Sequence, residues 1–303
     1  MKTLDLSAVQ VWFDETSFSR DTFSSRMNDY VSRASSLWRG EHHLVVFPEF
    51  YPTFLYPAFK KIAISVSVGK TLINYAVKNL GLSLNPFRKA FLNDALEIES
   101  YYRETFGTIA VRSGAYLLAP SILLPEIEFE SARGFFIRDA RLYNMAYLFS
   151  PSGKVISRSA KHNLTPAESR IIFSRGETFD NSLMTEFGRI GVAICYDMFF
   201  ETEMEKLDSR GCQIILVPSC NFASWKGSMR GSTQERIWYG DGPLRALKGR
   251  ENARFLVNAM ATGRIGREIA QGRSSIWYAG RALAVSRYYD REDIINTTIE
   301  PGL

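Results

Sequence analysis

Histidine and cysteine each occur only three times in the 303 residues, and that scarcity removes many familiar catalytic chemistries. The histidines are His42, His43 and His162; the cysteines are Cys195, Cys212 and Cys220. No HExxH, no CxxC and no paired Cys–His motif occurs, so a zinc centre is not expected. A GxSxG elbow, a Walker loop and a GxGxxG turn are likewise missing. Three cysteines make no disulfide framework, which fits a reducing compartment. No run approaches the ~20 apolar residues that a spanning helix needs. The first residues alternate polar and apolar with no small-residue cleavage site, so they read as a strand, not a signal peptide, and the cytoplasm is the expected address. Charge of one sign is also nearly balanced. Thirty-seven basic against 32 acidic residues leave +5, too little and too scattered to imply nucleic acid. Cys, Lys and carboxylates remain for chemistry, with no metal or organic cofactor implied.

What is present is an ordinary globular composition, 46% hydrophobic and 23% charged. Residues 4–11 alternate as a half-buried strand, and Phe23, Met27, Tyr30, Val31, Ala34 and Trp38 recur at helical spacing. Apolar runs at 44–47, 189–194 and 214–217 read as strands buried on both faces, and the first and third stop at Pro48 and Pro218. Residues 96–112 read as a helix and 116–124 as a strand. Strands at 142–149 and 154–159 flank a Ser-Pro-Ser-Gly turn, a hairpin signal. Three further strands are expected at 255–260, 274–278 and 282–286. Such interleaving suggests an α/β layered fold, and no linker divides residues 1–303 into more than one domain.

Residues 51–93 stand apart, with Lys60, Lys61, Lys70, Lys78, Arg88 and Lys89 interleaved with apolar residues and no acid. A basic amphipathic stretch can dock on a membrane surface. The plainer expectation is an inserted helical segment covering a cleft or an oligomer interface, since amphipathicity is ordinary in helices packed on a core.

Cys195 follows the apolar run 189–194 and precedes an expected helix near 200–209, whose N-terminus would lower a thiol's pKa. A cysteine in that place also fits as a small buried hydrophobe, as Cys212 and Cys220 do. Glu49 closes the run 44–48, where burial would raise a carboxyl pKa toward that of a general base. Lys161 ends a strand and precedes Glu168, which would fix the lysine's position; an ammonium between two glutamates stays cationic and can hold an oxyanion. Taken singly, Glu49 and Lys161 also fit as surface charges at strand ends.

The order of these pieces is more telling than any one of them. Phe47-Pro48-Glu49, then Lys161 and Glu168 six intervening residues apart, then Gly188-Arg189-Ile190-Gly191-Val192-Ala193-Ile194-Cys195-Tyr196-Asp197 each fall at a strand end. With these motifs the chain resembles the nitrilase superfamily of carbon–nitrogen hydrolases over nearly its whole length. Residues 142–146, 152–155, 250–254, 272–276 and 280–284 are similar to the passages that the family carries around its lysine, late helix and closing hairpin. Two places depart from the pattern. His162 directly follows Lys161 with Asn163 next, where Lys-x-His is frequent, and Phe200-Glu201-Thr202-Glu203 stands where Phe-Pro-Glu is common. Residues 51–93 and 224–242 have no clear counterpart.

The resemblance implies a four-layer α-β-β-α sandwich and a homodimer or higher homo-oligomer. It implies Cys195 as nucleophile, Glu49 as base, Lys161 with the Tyr196 backbone N–H as oxyanion donors, and Glu168 as their support. Cys-Tyr-Asp favours an amidase branch over nitrilases, which more often show Cys-Trp-Glu. Nitrile hydrolysis, acyl transfer to an amine and a non-catalytic binding role are the alternatives. Nearness to the triad segments places Tyr51, Tyr56, Tyr196, Phe199, Cys220, Asn221 and Trp225 around a small amide or nitrile substrate.

Overall fold

Strand β1 (Leu4–Phe13) is buried along nearly its whole length, although its alternation suggests one wet face. Leu4, Leu6 and Ala8 belong to one apolar core, while Val9, Val11 and Phe13 belong to another. The polar residues of β1 are not wet because later segments cover them. Ser7 Oγ donates to Asn296 and accepts from the Trp38 indole, and Asp5 accepts the backbone N–H groups of Arg39 and Gly40. A computed structural model describes residues 3–13, 15–62, 68–80, 86–170, 173–229 and 231–300.

After β1 come α1 (Arg20–Ser35), β2 (His42–Val46), α2 (Leu55–Phe59), α3 (Val68–Leu80), α4 (Pro86–Ser113), β3 (Tyr116–Leu118), β4 (Ile122–Glu130), β5 (Gly134–Phe149) and β6 (Val155–Ala160). The second half holds α5 (Pro166–Arg170), β7 (Ser182–Thr185), β8 (Gly188–Val192), α6 (Glu201–Ser209), β9 (Ile214–Cys220), the short β10 (Ser228–Met229) and β11 (Ser232–Thr233), α7 (Gln234–Tyr239) and α8 (Arg245–Leu247). It ends with β12 (Phe255–Ile265), β13 (Glu268–Ala270), β14 (Ser275–Tyr278), β15 (Arg281–Val285) and β16 (Asp293–Ile299).

In the first sheet β1 lies parallel to β2 and antiparallel to β16, β2 lies parallel to β3, and β5 runs antiparallel to β3, β4 and β6. In the second, β8, β9 and β12 are parallel neighbours, with β7 and β14 antiparallel at the two sides. Among the described residues the sheets join only where residues 11–13 of β1 pair with 261–263 of β12. Gly263 makes that approach possible: its φ is +121°, and a Cβ there would lie 2.5 Å from the Phe13 carbonyl oxygen.

Four layers result. Val9, Val11, Val45 and Phe47 pack against Phe23, Met27 and Tyr30 of α1 and Tyr102 and Phe106 of α4. Leu4, Leu6, Leu44 and Val46 pack with Ile190, Leu216 and Leu256 of the second sheet, whose core also takes in Met204 and Leu207 of α6 and Trp238 of α7. The order is helices, sheet, sheet, helices, with strand ends from both sheets converging near the 11–13/261–263 junction. Among the described residues no helix is long and apolar enough to cross a membrane.

Several elements differ from expectation. Helix α1 stops at Ser35, and Trp38 instead stacks on the His43 ring at 4.1 Å. Helix α4 starts at Pro86, so it runs unbroken past residue 93 and makes that boundary no break in structure. Ala119 and Pro120 split the expected 116–124 strand in two. The described parts of 51–93 are mostly helical, with 60–62 outside any helix, and their basic residues do not all sit free on the wet face: Lys60 Nζ lies 2.9 Å from the buried Asp94, which Tyr75 also meets at 2.6 Å. Ile62 and Leu72 are buried, but Ile73 is 46% exposed. Residues 63–67 and 81–85, with Ile64, Val66 and Leu82, lie outside the described residues.

Candidate active site

The apolar strand β8 ends at Val192, and the chain then turns sharply at Cys195, whose φ of +50° lies in the left-handed region. That conformation costs a non-glycine residue roughly 1–2 kcal/mol, so the surroundings must enforce it. Asp197 does part of this. Its carboxylate accepts the Ile194 N–H at 3.1 Å from two residues ahead of the turn's end. The Cys195 thiol is buried and donates to the Cys220 carbonyl at 3.8 Å.

Burial pushes the Cys195 thiol well above its ordinary pKa, the Glu49 charge pushes the same way, and Lys161 opposes them. The expected lowering by a helix N-terminus is therefore reversed. Only a five-residue 3-10 turn, Cys195–Phe199, follows the thiol directly, and α6 begins at Glu201. A dipole effect falls off within one turn, so desolvation outweighs it.

Glu49 sits just beyond β2, beside Phe50, another left-handed residue at φ +68°. One carboxylate oxygen accepts from Lys161 Nζ at 2.8 Å and Asn144 Nδ2 at 2.9 Å; the other accepts the Cys220 N–H at 3.1 Å. Burial raises its pKa above the ordinary 4.5, against the charge of Lys161 and a side-chain hydrogen bond with Cys195. Lys161 is buried and bridges Glu49 and Glu168, at 2.8 Å to each. Burial works against the ammonium, yet Glu49, Cys195 and Glu168 together hold its pKa well above 10.5. Glu168 is itself held by the Thr165 N–H at 2.7 Å, while Thr165 Oγ1 accepts the Glu168 N–H at 3.3 Å. This reciprocal pair starts α5 as a capping box does. Behind the lysine, Gly176 N donates to the Lys161 carbonyl at 2.9 Å, and a Cβ on Gly176 would lie 2.4 Å from that of Ala160.

Asp197 ties the lysine segment to the cysteine turn. Besides Ile194 it accepts from His162 N at 3.2 Å and from Asn163 N and Nδ2 at 2.6 and 3.0 Å. Burial raises its pKa to about 6, while Lys161 and the Asn163 N–H act the other way. The two departures from the family pattern meet here: His162 Nδ1 lies 2.8 Å from Glu203 Oε1, and both are buried.

A cavity of about 720 Å³ opens on Cys195, Glu49, Lys161 and Glu168. Of the proposed substrate-contacting residues, Tyr196, Phe199, Cys220 and Asn221 line it. Three do not. Tyr56 is fully buried in a ring cluster with Tyr75 and Phe91, and its hydroxyl donates to the Leu123 carbonyl at 3.0 Å. Tyr51 packs among Phe13, Phe18 and Phe23 in the first core. Trp225 lies buried behind the wall, its ring 6.1 Å from that of Trp238, which does line the cavity. Nearness in sequence misplaced them because the chain turns inward after Glu49 and after Asn221. Sequence reasoning also missed Asn144, Asp197, Phe50, Leu72, Phe173, Phe222 and Trp238. Asn144 carried a signal, as a lone amide in the apolar strand β5; the wall residues carried none.

Comparison with known proteins agrees with this architecture. The family model described as "Carbon-nitrogen hydrolase" matches residues 7–290. The 2-oxoglutaramate amidase of Paenarthrobacter nicotinovorans is 23% identical over 301 residues, covering 98% of this chain and 83% of that protein. The omega-amidase of Homo sapiens is 28% identical over 137 residues, 43% of this chain and 45% of its own. A carbon–nitrogen hydrolase structure from Helicobacter pylori G27 superposes with a TM-score of 0.71 at 16% identity, covering 99% of this chain and 89% of that one. An amidase variant from Nesterenkonia sp. AN1, with acrylamide added to its active site cysteine, gives 0.65 at 17% identity, covering 98% and 92%.

Proposed function

This chain belongs to the carbon–nitrogen hydrolase family, and from that premise we propose that it hydrolyses small amides through a thioester on Cys195, with Glu49 as the proton carrier. The observation that carries the assignment is the buried carboxylate–ammonium–carboxylate array of Glu49, Lys161 and Glu168 lining the same cavity as the thiol. Because burial and the Glu49 charge keep the thiol protonated at rest, its proton must leave as the sulfur attacks. Glu49 takes that proton while Sγ bonds to the amide carbon. The Lys161 ammonium and the Tyr196 backbone N–H stabilise the oxyanion. Glu49 then passes the proton to the departing nitrogen, and the C–N bond breaks to leave a thioester. Water attacks next, giving its proton to Glu49; the acid departs and the proton returns to sulfur. Glu168 and Asp197 hold Lys161 and the cysteine turn in register and touch no reacting atom.

Residues 1–303 act as one domain, and α3 serves as a lid. Val68, Gly69 and Leu72 line the cavity, and Val68 N donates to Glu268 Oε2 at 2.8 Å. On α3, Leu72, Tyr75 and Ala76 are buried, and the apolar surface they spend on packing favours a lid over a membrane dock. A homo-oligomer in the cytoplasm completes the proposal. Mass spectrometry after incubation with a panel of amides and nitriles tests it. A trapped acyl group on Cys195 and loss of turnover in Cys195→Ala are expected, with Cys212→Ala retaining activity. Turnover by Cys195→Ala comparable with wild type removes Cys195 as nucleophile.

A further inference from the structure

We infer that the cavity selects amides whose acyl chain is apolar, uncharged and several carbons long, and discriminates against amides that carry a carboxylate. This rests on the amide-hydrolase function proposed above and names the substrate class of the same site. The wall facing the triad is built from Phe50, Leu72, Phe173, Phe199, Phe222 and Trp238, drawn from six separate stretches of chain. That part of the lining gains free energy by removing methylenes from water, while Thr165, Asn221 and Gln234 supply the cavity's uncharged polar groups. At about 720 Å³ the space far exceeds what a two-carbon amide fills. A larger acyl group would therefore bury apolar surface that a small one leaves exposed.

The charges in the wall point the same way. Lys161 is the cation nearest the chemistry, and both its neighbours are already carboxylates, Glu49 and Glu168. Outside the triad the cavity's charged lining, among the described residues, is Asp241, Glu268 and Arg245. Arg245 lies 3.7 Å from Glu201, a carboxylate that Arg250 also pairs with, and its side chain is more than half exposed to screening solvent. A substrate carboxylate would thus meet two like charges and one cation that already has an anionic neighbour. Like-charge juxtaposition is a common means of rejecting a wrong ligand.

Steady-state ammonia release by the full-length protein tests this with hexanamide, adipamate (a chain of the same length ended by a carboxylate) and acetamide. At low ionic strength kcat/KM for hexanamide is expected to exceed that for each of the others by at least about ten-fold, and added salt should narrow the gap to adipamate alone. Phe222→Arg, at a 40% exposed wall position, should cut the hexanamide-to-adipamate ratio by about ten-fold or more. Asp241→Asn, which removes a wall carboxylate, should move the ratio the same way and stands in if the arginine variant does not fold. Adipamate turned over as well as hexanamide overturns the selectivity while leaving the hydrolase function intact. Absence of turnover with every amide, and of any adduct on Cys195, overturns the hydrolase function and this inference with it.

Discussion

At Glu49 two opposing demands meet. The carboxylate must be ionised to accept a thiol or water proton, yet it is buried, and its pKa is raised above 4.5. Lys161 resolves the conflict by keeping a cation 2.8 Å away. The sign for activity follows directly. A base with a raised pKa loses its competent, ionised form earlier as pH falls, so the acid limb of kcat/KM should lie above 4.5. Replacing Glu49 by Gln keeps shape and hydrogen bonding but removes the base, and should lower kcat by about 10²–10⁴-fold and erase that limb. A wild-type limb at or below 4.5, measured on a neutral amide, would contradict the assignment. The neighbouring Asn144 and Cys220 N–H donors, one on each oxygen, fix the orientation of the carboxylate; neither can replace its charge.

Among elements, helix α3, proposed above as a lid, is held by a small polar clip. Asp94 on α4 meets Lys60 just after α2 and Tyr75 on α3, so one carboxylate binds three helical segments. Breaking that clip takes this partner from the buried Tyr75 and the partly exposed Lys60, a cost of about 1–3 kcal/mol. Most of it should appear as local opening. Asp94→Ala is expected to speed amide hydrogen exchange across 68–80 and raise KM, with kcat held within about three-fold. Unchanged exchange in α3 together with an unchanged KM would show that α3 is not held over the cavity by this contact. Asp197 has the same kind of task between the lysine segment and the cysteine turn, where its four acceptor contacts cross from one sheet's strand end to the other's.

For the whole molecule the first sheet is closed by Asp5. It is fully buried and accepts hydrogen bonds from Gly40 N at 2.7 Å, Arg39 N at 2.9 Å and Thr298 Oγ1 at 2.6 Å, with His43 Nδ1 at 3.0 Å. It thereby joins β1, the turn before β2 and β16. Burial alone would raise its pKa, but the hydrogen bonds from Thr298, Gly40, Asn296 and Arg39 outweigh it and hold it below 3.8. Because the folded value lies below the unfolded one, the stability Asp5 adds is present above 3.8 and is lost as pH falls through the folded value. Asp5→Asn should cost about 2 kcal/mol near neutrality, measured by urea unfolding, and the gap to wild type should shrink in acid. A gap independent of pH would mean that the carboxylate's charge plays no part.

Local chemistry written along the chain determined a good deal by itself. Apolar runs ending at Pro48 and Cys195, the Ser-Pro-Ser-Gly turn and the spacing from Lys161 to Glu168 are short-range patterns; they marked strands and an α/β fold, and their order along the chain carried the family resemblance that implied Glu49, Lys161, Glu168 and Cys195 as site residues. Backbone periodicity acts over a few residues, so such features survive without knowledge of partners. What only the tertiary structure decided was everything set by contacts between distant segments. Burial reversed the pKa direction expected for Cys195, because desolvation by the whole cavity outweighs one turn of helix. The polar side of β1 is dry because Trp38, the backbone of Arg39 and Gly40, and the Asn296 and Thr298 side chains from the far end of the chain take up its Asp5 and Ser7. Tyr56 and Trp225 point into cores and not into the cavity, while Phe50, Phe173 and Phe222 form its wall. A one-dimensional neighbourhood cannot say which way a side chain faces once the chain turns; close packing between remote elements does.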